Sequence, residues 1–381
     1  MQKNESVKQN FVHKLNFDIR DTFLAARMGL NARNLWVFWK GIALIWIVMT
    51  FFIYAGFFAS GDNIVERFSS ARFGPVPDEL FMSSTPAVIL LISGILFVFF
   101  IFIRTYMIAS RLTFEQIRGD QFFTEAAATR VLQSSWKSVI IAPSVILLGI
   151  GFAVLVVYLG GLFSNIPVIG SVALGLFAVP MVILGLFIVL TLIVLLLSVI
   201  LGPVITATTK GDAFELLFEL FSTVTAQPMR LFNWFFAGSI LRIIGIVSFI
   251  IFASGSVSIV SSVLERTTNI TGFSTTIESS ISRVAPEIAP FYSSIFSPVS
   301  STSHLESNLS PVTELFVSFT GVALFLLLLA YWFSSGNALW TIIYLGARFH
   351  RDSEDLLLRA DEEEQREIIR LATALKSEKH N

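Results

Sequence analysis

The chain has no cysteine, which excludes disulfides, thiolate nucleophiles and Cys-ligated metal centres. Charge is also scarce. Asp, Glu, Lys and Arg make up 14% of the residues, against roughly 25% in a soluble domain. The four histidines, His13, His304, His350 and His380, do not pair at helical spacing with another ligand type inside an apolar run, which argues against a metal site. No P-loop, GxSxG or HExxH motif occurs, so nothing points to a nucleotide, a cofactor or a catalytic constellation. The net charge of −1 gives no field that would draw nucleic acid.

In place of these features there are long hydrophobic blocks. Of the 381 residues, 54% are hydrophobic, 38 are Phe, and the mean hydropathy is +0.76. The charge deficit falls in blocks, the signature of a polytopic, all-α membrane bundle whose main partner is the lipid bilayer. A hydrocarbon core of about 30 Å needs about 20 apolar residues as helix. Six runs qualify: 36–59, 87–107, 139–159, 180–204, 237–257 and 317–337. "NIPVIGSVALGLFAVP" (165–180) is short and ends on Pro180, and is expected to be a re-entrant or interfacial helix, one long kinked helix being the alternative. Residues 1–35 are too polar for a cleaved leader and form an amphipathic N-terminal segment. Residues 36–345 form the membrane domain, with an outer loop at 261–313, and 346–381 a charged C-terminal helix.

Lys and Arg set the orientation. Nineteen lie in 1–35, 109–137, 205–230 and 346–381; four lie in 60–84 and 261–313. The imbalance places both ends of the chain in the cytoplasm, in the cell's inner membrane. Trp36, Trp39, Trp136, Trp234 and Trp340 fall near the cytoplasmic ends of spans, where an aromatic belt is expected.

Two cytoplasmic helices are written in similar text. In "KGDAFELLFELFSTVTAQP" (210–228), Asp212 is an N-cap and Glu215 completes a capping box. Phe214, Leu217, Phe218 and Phe221 make the apolar stripe, which leaves Glu215, Glu219 and Thr223 on the polar face. That acidic face favours docking on the protein's own spans over anionic lipid. "RGDQFFTEAAATRVLQSSWKSVI" (118–140) shares the basic-Gly-Asp-x-Phe opening at an offset of 92 residues, a weak internal repeat. "NFDIRDTFLAARMGLNARNLW" (16–36) supplies a third such helix.

These blocks, with "NIPVIGSVALGLFAVP", "GPVITATTKGD" and "YWFSSGNALWTIIYLGARFHRD", resemble a family of uncharacterised bacterial multi-pass inner-membrane proteins. A fainter likeness is to the membrane domain that accompanies some glycerophosphodiester phosphodiesterases. "ELLFELFSTVTAQP" departs from the family pattern, which continues with basic and Tyr residues there. The resemblance implies a fold and a location and no activity.

Lys40 and Arg104 sit near span ends and can snorkel. Arg242 lies further along its run without an acid in reach. A structural role, bonded to carbonyls or to Asn337, is the expectation; a solute pathway and snorkelling are the alternatives. In the outer loop, Ile277, Ile281, Val284 and Ile288 suggest a short surface helix, and Asn269 and Asn308 match glycosylation sequons. The charged C-terminal helix can dock a protein partner or fold back. Three functions follow in order: a non-enzymatic scaffold or accessory subunit, supported by a lack of buried acids; a small-solute transporter; and an intramembrane enzyme, for which no residues stand out.

Overall fold

A computed structural model describes residues 15–71, 74–133, 135–166, 169–268, 272–284, 309–353 and 355–358. Among them there are helices and no strand. The helices are α1 (Thr22–Gly29), α2 (Ala32–Ala59), α3 (Ile64–Ala71), α4 (Glu79–Ser83), α5 (Thr85–Ile117), α6 (Glu125–Leu132), α7 (Trp136–Ser164), α8 (Ile169–Thr209), α9 (Ala213–Ala226), α10 (Pro228–Thr268), α11 (Phe273–Val284) and α12 (Pro311–Asp352). Six of them, α2, α5, α7, α8, α10 and α12, are long and apolar enough to cross a membrane. The chain is a multi-pass membrane protein with an all-α bundle fold. The charged C-terminal helix beyond residue 358, Ile288 and both sequons lie outside the described residues.

The expected separate helix at 165–180 is not formed. Helix α8 runs unbroken from Ile169 to Thr209 with Pro180 and Pro203 inside it, so the long-helix alternative holds. One proline removes one backbone bond, whereas ending a helix in hydrocarbon strands several backbone groups at several kcal/mol each.

Helix α12 is the hub. It packs against α1, α2, α5, α8, α10 and α11, while α2 pairs with α5 and α7 with α8. The α7–α8 hairpin presents large apolar residues outward, among them Leu148, Phe152, Leu176 and Leu186, as lipid contact requires. The short helix foreseen in the outer loop is α11, but it lies with Ile277 and Ile281 buried against α12.

Side-chain contacts fix a level at the end of the bundle where most cations gather. Phe38 of α2 and Phe102 of α5 both meet Phe333 of α12. Arg242 of α10 lies over Trp332. Lys40, Arg104 and Arg242 therefore stand near one plane. Beyond them, Gly41–Ala59, Thr85–Ile103 and Ile243–Leu264 carry no Asp, Glu, Lys, Arg or His. At 1.5 Å per residue these stretches measure about 28–33 Å, the thickness of a hydrocarbon core. Arg242 thus marks a hydrocarbon boundary and not the middle of a span.

On the basic side of this plane α1, α6, α9 and the ends of α5, α8, α10 and α12 form a helical layer. The second half of α12 is its core: nearly every residue from Ala330 to Ala347 is buried. The N-terminal segment runs antiparallel along it. Phe17 stacks on Phe349 at 4.0 Å, its carbonyl meets His350 Nε2 at 2.7 Å, and Gly29 faces Ser335 so closely that an added Cβ would lie 2.6 Å from the Ser335 Cβ. This layer corrects the aromatic belt. Trp36 and Trp136 are exposed, but Trp234 and Trp340 are buried, because they lie in the layer and not at a lipid interface.

The two Gly-Asp elements do similar work in different registers. Asp212 Oδ1 accepts the Glu215 N–H at 2.8 Å and caps α9 directly. The Glu215 half of the capping box does not form; its carboxylate lies over Gly211. Upstream, Asp120 accepts from Phe122 N–H, and Thr124 caps α6. The left-handed residue is Gly119 in the first element and Lys210 in the second. The shared letters are therefore one position out of structural register.

Candidate functional site at the basic end

Three buried polar networks hold the layer to the spans. The first centres on Asn337, which is fully buried. Its Nδ2 donates to the Tyr106 carbonyl at 3.2 Å and to Ser110 Oγ at 2.6 Å. Its Oδ1 accepts from Thr113 Oγ1 at 3.3 Å, and Thr113 Oγ1 accepts from Asn34 Nδ2 at 3.0 Å. Ser110 donates onward to the Tyr106 carbonyl at 2.8 Å. The network joins α2, α5 and α12 and gives both ends of the Asn337 amide a partner, as buried polar groups require.

The second centres on Arg242, also buried. Nε donates to Ser335 Oγ at 3.3 Å, one terminal nitrogen donates to the Trp332 carbonyl at 2.8 Å, and the guanidinium lies 4.1 Å from the Trp332 ring centroid. Gly336 makes the room: a Cβ there would lie 2.7 Å from an Arg242 nitrogen. The expected carbonyl partner is present. The expected Asn337 partner is not, because Asn337 turns to α5 on the other side of α12. Arg242→Leu removes a desolvated charge together with its bonds, so the two effects largely offset. The variant should assemble normally, with a loss of about 1–2 kcal/mol, read as a small drop in detergent melting temperature.

The third network overturns the polarity assigned to α9. Phe214 and Phe218 are 78% and 61% exposed, whereas Glu219 is 4% exposed and Thr223 is 3% exposed. Leu216, Leu220 and Val224 share the buried face. Glu219 accepts from Arg348, from Arg351 at 2.8 and 3.0 Å, and from Tyr344 Oη at 3.4 Å. Asp352 completes the cluster through Arg348 at 2.9 Å and Arg351 at 2.7 Å. Two guanidinium groups and the Tyr344 hydroxyl surround the Glu219 side chain, which clamps α9 onto α12.

Arg111 and Glu115 form a further buried pair one turn apart on α5, with Arg118 beside Glu115 at 3.7 Å. Arg111 also donates to the Ala207 carbonyl at the end of α8. Glu115 and Glu219 correct the premise that the chain buries no acids. The apolar run read from the sequence ends at residue 107, short of Arg111 and Glu115, although their spacing of four in a continuing apolar pattern is the signal that α5 carries on to Ile117. Lys40, expected to snorkel, instead pairs with Glu125 of α6 at 2.6 Å.

At the opposite end Arg67 bridges Asp62 at 2.6 Å and Asp78. The Phe81 N–H, followed by Arg67, holds the Asp78 carboxyl below its ordinary value. Its contribution to stability is therefore present above the ordinary carboxylate range and fades as pH falls through the lowered value.

No family model matches this chain, and no curated protein and no solved structure matches it either.

Proposed function

We propose that the chain is a non-enzymatic scaffold or accessory subunit of a membrane assembly, in the cell's inner membrane with both ends of the chain in the cytoplasm. The observation that carries the reading is where ionisable groups stand. The six long helices carry no Asp, Glu, Lys, Arg or His through their central stretches. The buried charges gather on the basic side, where they join one helix of the chain to another. A solute pathway needs polar groups near the midplane, commonly at broken helices. The central hydroxyls of α8 and α10 are turned onto their own helices: Thr191 donates to the Phe187 carbonyl and Ser254 to that of Ile251.

A small-solute transporter is the second reading. It is favoured by the polar recess between α1, α2 and α5, which leads toward the Asn34–Thr113–Asn337 chain. That chain ends at the Tyr106 carbonyl, on the basic side of the hydrocarbon boundary, so the reading stays second.

The orientation rests on the Lys and Arg imbalance. The absence of cysteine makes it testable without background. Val65 is 78% exposed on α3, and Gln121 is exposed beside α6. Val65→Cys should react with an impermeant maleimide in intact cells, and Gln121→Cys only after lysis. The reverse pattern overturns the orientation. The scaffold reading predicts one defined, stoichiometric cross-link when a photoreactive residue replaces Phe122, which is 88% exposed at the same end. A protein that is monomeric by this test and moves a solute in proteoliposomes would put the transporter first.

A further inference from the structure

The recess on the basic side has a volume of about 420 Å³ and opens between α1, the start of α2, and the end of α5. Its polar wall is Arg27, Asn31, Arg33, Asn34, Gln116 and Gln121; no carboxylate lines it. Neither arginine forms an ion pair with a described residue. Arg33 donates one nitrogen to the Phe123 carbonyl at 2.6 Å, which fixes its position without neutralising it. Both side chains are exposed at the mouth of the recess, whereas Lys40, Arg111, Arg348 and Arg351 each have a carboxylate partner.

One further feature biases the recess toward an anion. Helix α2 begins at Ala32 beside it, so the positive end of a 28-residue helix adds to the field. Asn34, at 2% exposure, forms part of the wall with its Nδ2 committed to Thr113 Oγ1 at 3.0 Å. Ala32 stands about 12 Å beyond Lys40 along the helix axis, and an arginine side chain from that level reaches the headgroup zone just outside the hydrocarbon.

We propose that this recess binds a phosphate-bearing anion, the headgroup of an anionic phospholipid or a soluble phosphate ester, with Arg27 and Arg33 holding the phosphate oxygens and the Gln116 and Gln121 amides its ester substituent. Arginine suits this chemistry because its planar fork pairs with two phosphate oxygens at once. The site stands independently of the scaffold reading.

Native mass spectrometry of the full chain in mild detergent tests it, in two arms. One titrates phosphatidylglycerol against phosphatidylcholine, and the other titrates glycerol 3-phosphate. The expected result is one bound ligand in one arm, weakened at least tenfold in R27Q/R33Q and unchanged in R230Q, a control at the same end of the bundle. Retention of phosphatidylglycerol alone identifies the lipid as the source, and of glycerol 3-phosphate alone the soluble ester. Q121E, which puts a carboxylate on the exposed rim, should weaken binding in the same way and keeps the test informative if the double variant misfolds. Equal weakening in R230Q and R27Q/R33Q, or no binding by the wild-type chain in either arm, overturns the proposal.

Discussion

Glu219→Lys should abolish the folded protein, while Phe218→Asp one residue away should leave most of it intact. The pattern of hydrophobicity along α9 suggests the opposite order. Glu219 is buried between Arg348 and Arg351, whose side chains are 11% and 14% exposed. Removing one partner of such a cluster leaves the others buried without compensation, at about 3–5 kcal/mol, and a lysine adds repulsion from two guanidinium groups. That is a large share of the 5–15 kcal/mol typical of a whole domain. Phe218 is mostly exposed, and a charge there adds little strain. Glu219→Gln keeps the acceptor and should fall between. Monodisperse yield after detergent extraction is the measurement. Equal yields for Glu219→Lys and wild type would mean that the clamp does not hold α9.

Asn337→Leu should be the second most damaging change, with a loss of about 3 kcal/mol or more. Leucine has the branching and the heavy-atom count of asparagine but a larger volume, so a packing cost at this fully buried position adds to the polar one. The substitution removes donors to the Tyr106 carbonyl and Ser110 and the acceptor of Thr113. Each hydrogen bond is worth about 1 kcal/mol net, and each buried group left unsatisfied costs about 1–3 kcal/mol. The melting temperature in detergent should fall well below that of Arg242→Leu. The contrast follows from what remains. Behind Arg242 stand a carbonyl already within its helix and a serine that also donates to the Trp332 carbonyl at 3.1 Å. Behind Asn337 stands a chain of hydroxyls and amides that loses its centre.

The membrane class and the number of long helices were legible because twenty apolar residues in a row have few other uses. The cap at Asp212 was legible because it is local: the carboxylate reaches an amide three residues on. The buried face of α9 was not. Phe and Leu at helical spacing usually face a core, but in a bilayer the outside is apolar as well, so hydrophobicity stops distinguishing in from out. The deciding fact was the meeting of Glu219 with Arg348 and Arg351, more than a hundred residues away in sequence. The same ambiguity hid the buried ends of α5 and α12. Their apolar text continues past the hydrocarbon into a protein layer, so spans read from hydropathy stop short of the helices. Arg242 looked deep because α10 was aligned to the bilayer by its own composition, whereas its contact with Trp332 aligns it with Lys40 and Arg104.

The position of that boundary is the centre of the account, and a cysteine series along the outward face of α10 tests it most directly. Phe232, Phe236, Ile240, Ile244, Phe252, Ile259 and Val263 are all well exposed on this helix, and the chain has no cysteine of its own. Reaction of single cysteines with a water-soluble maleimide in open membranes should be fast at 232 and 236, fall between 240 and 244, stay minimal at 252 and 259, and return toward 263. Fast reaction at 252 would place water at mid-span, contradict the charge-free hydrocarbon zone, and return Arg242 to the interior of the membrane.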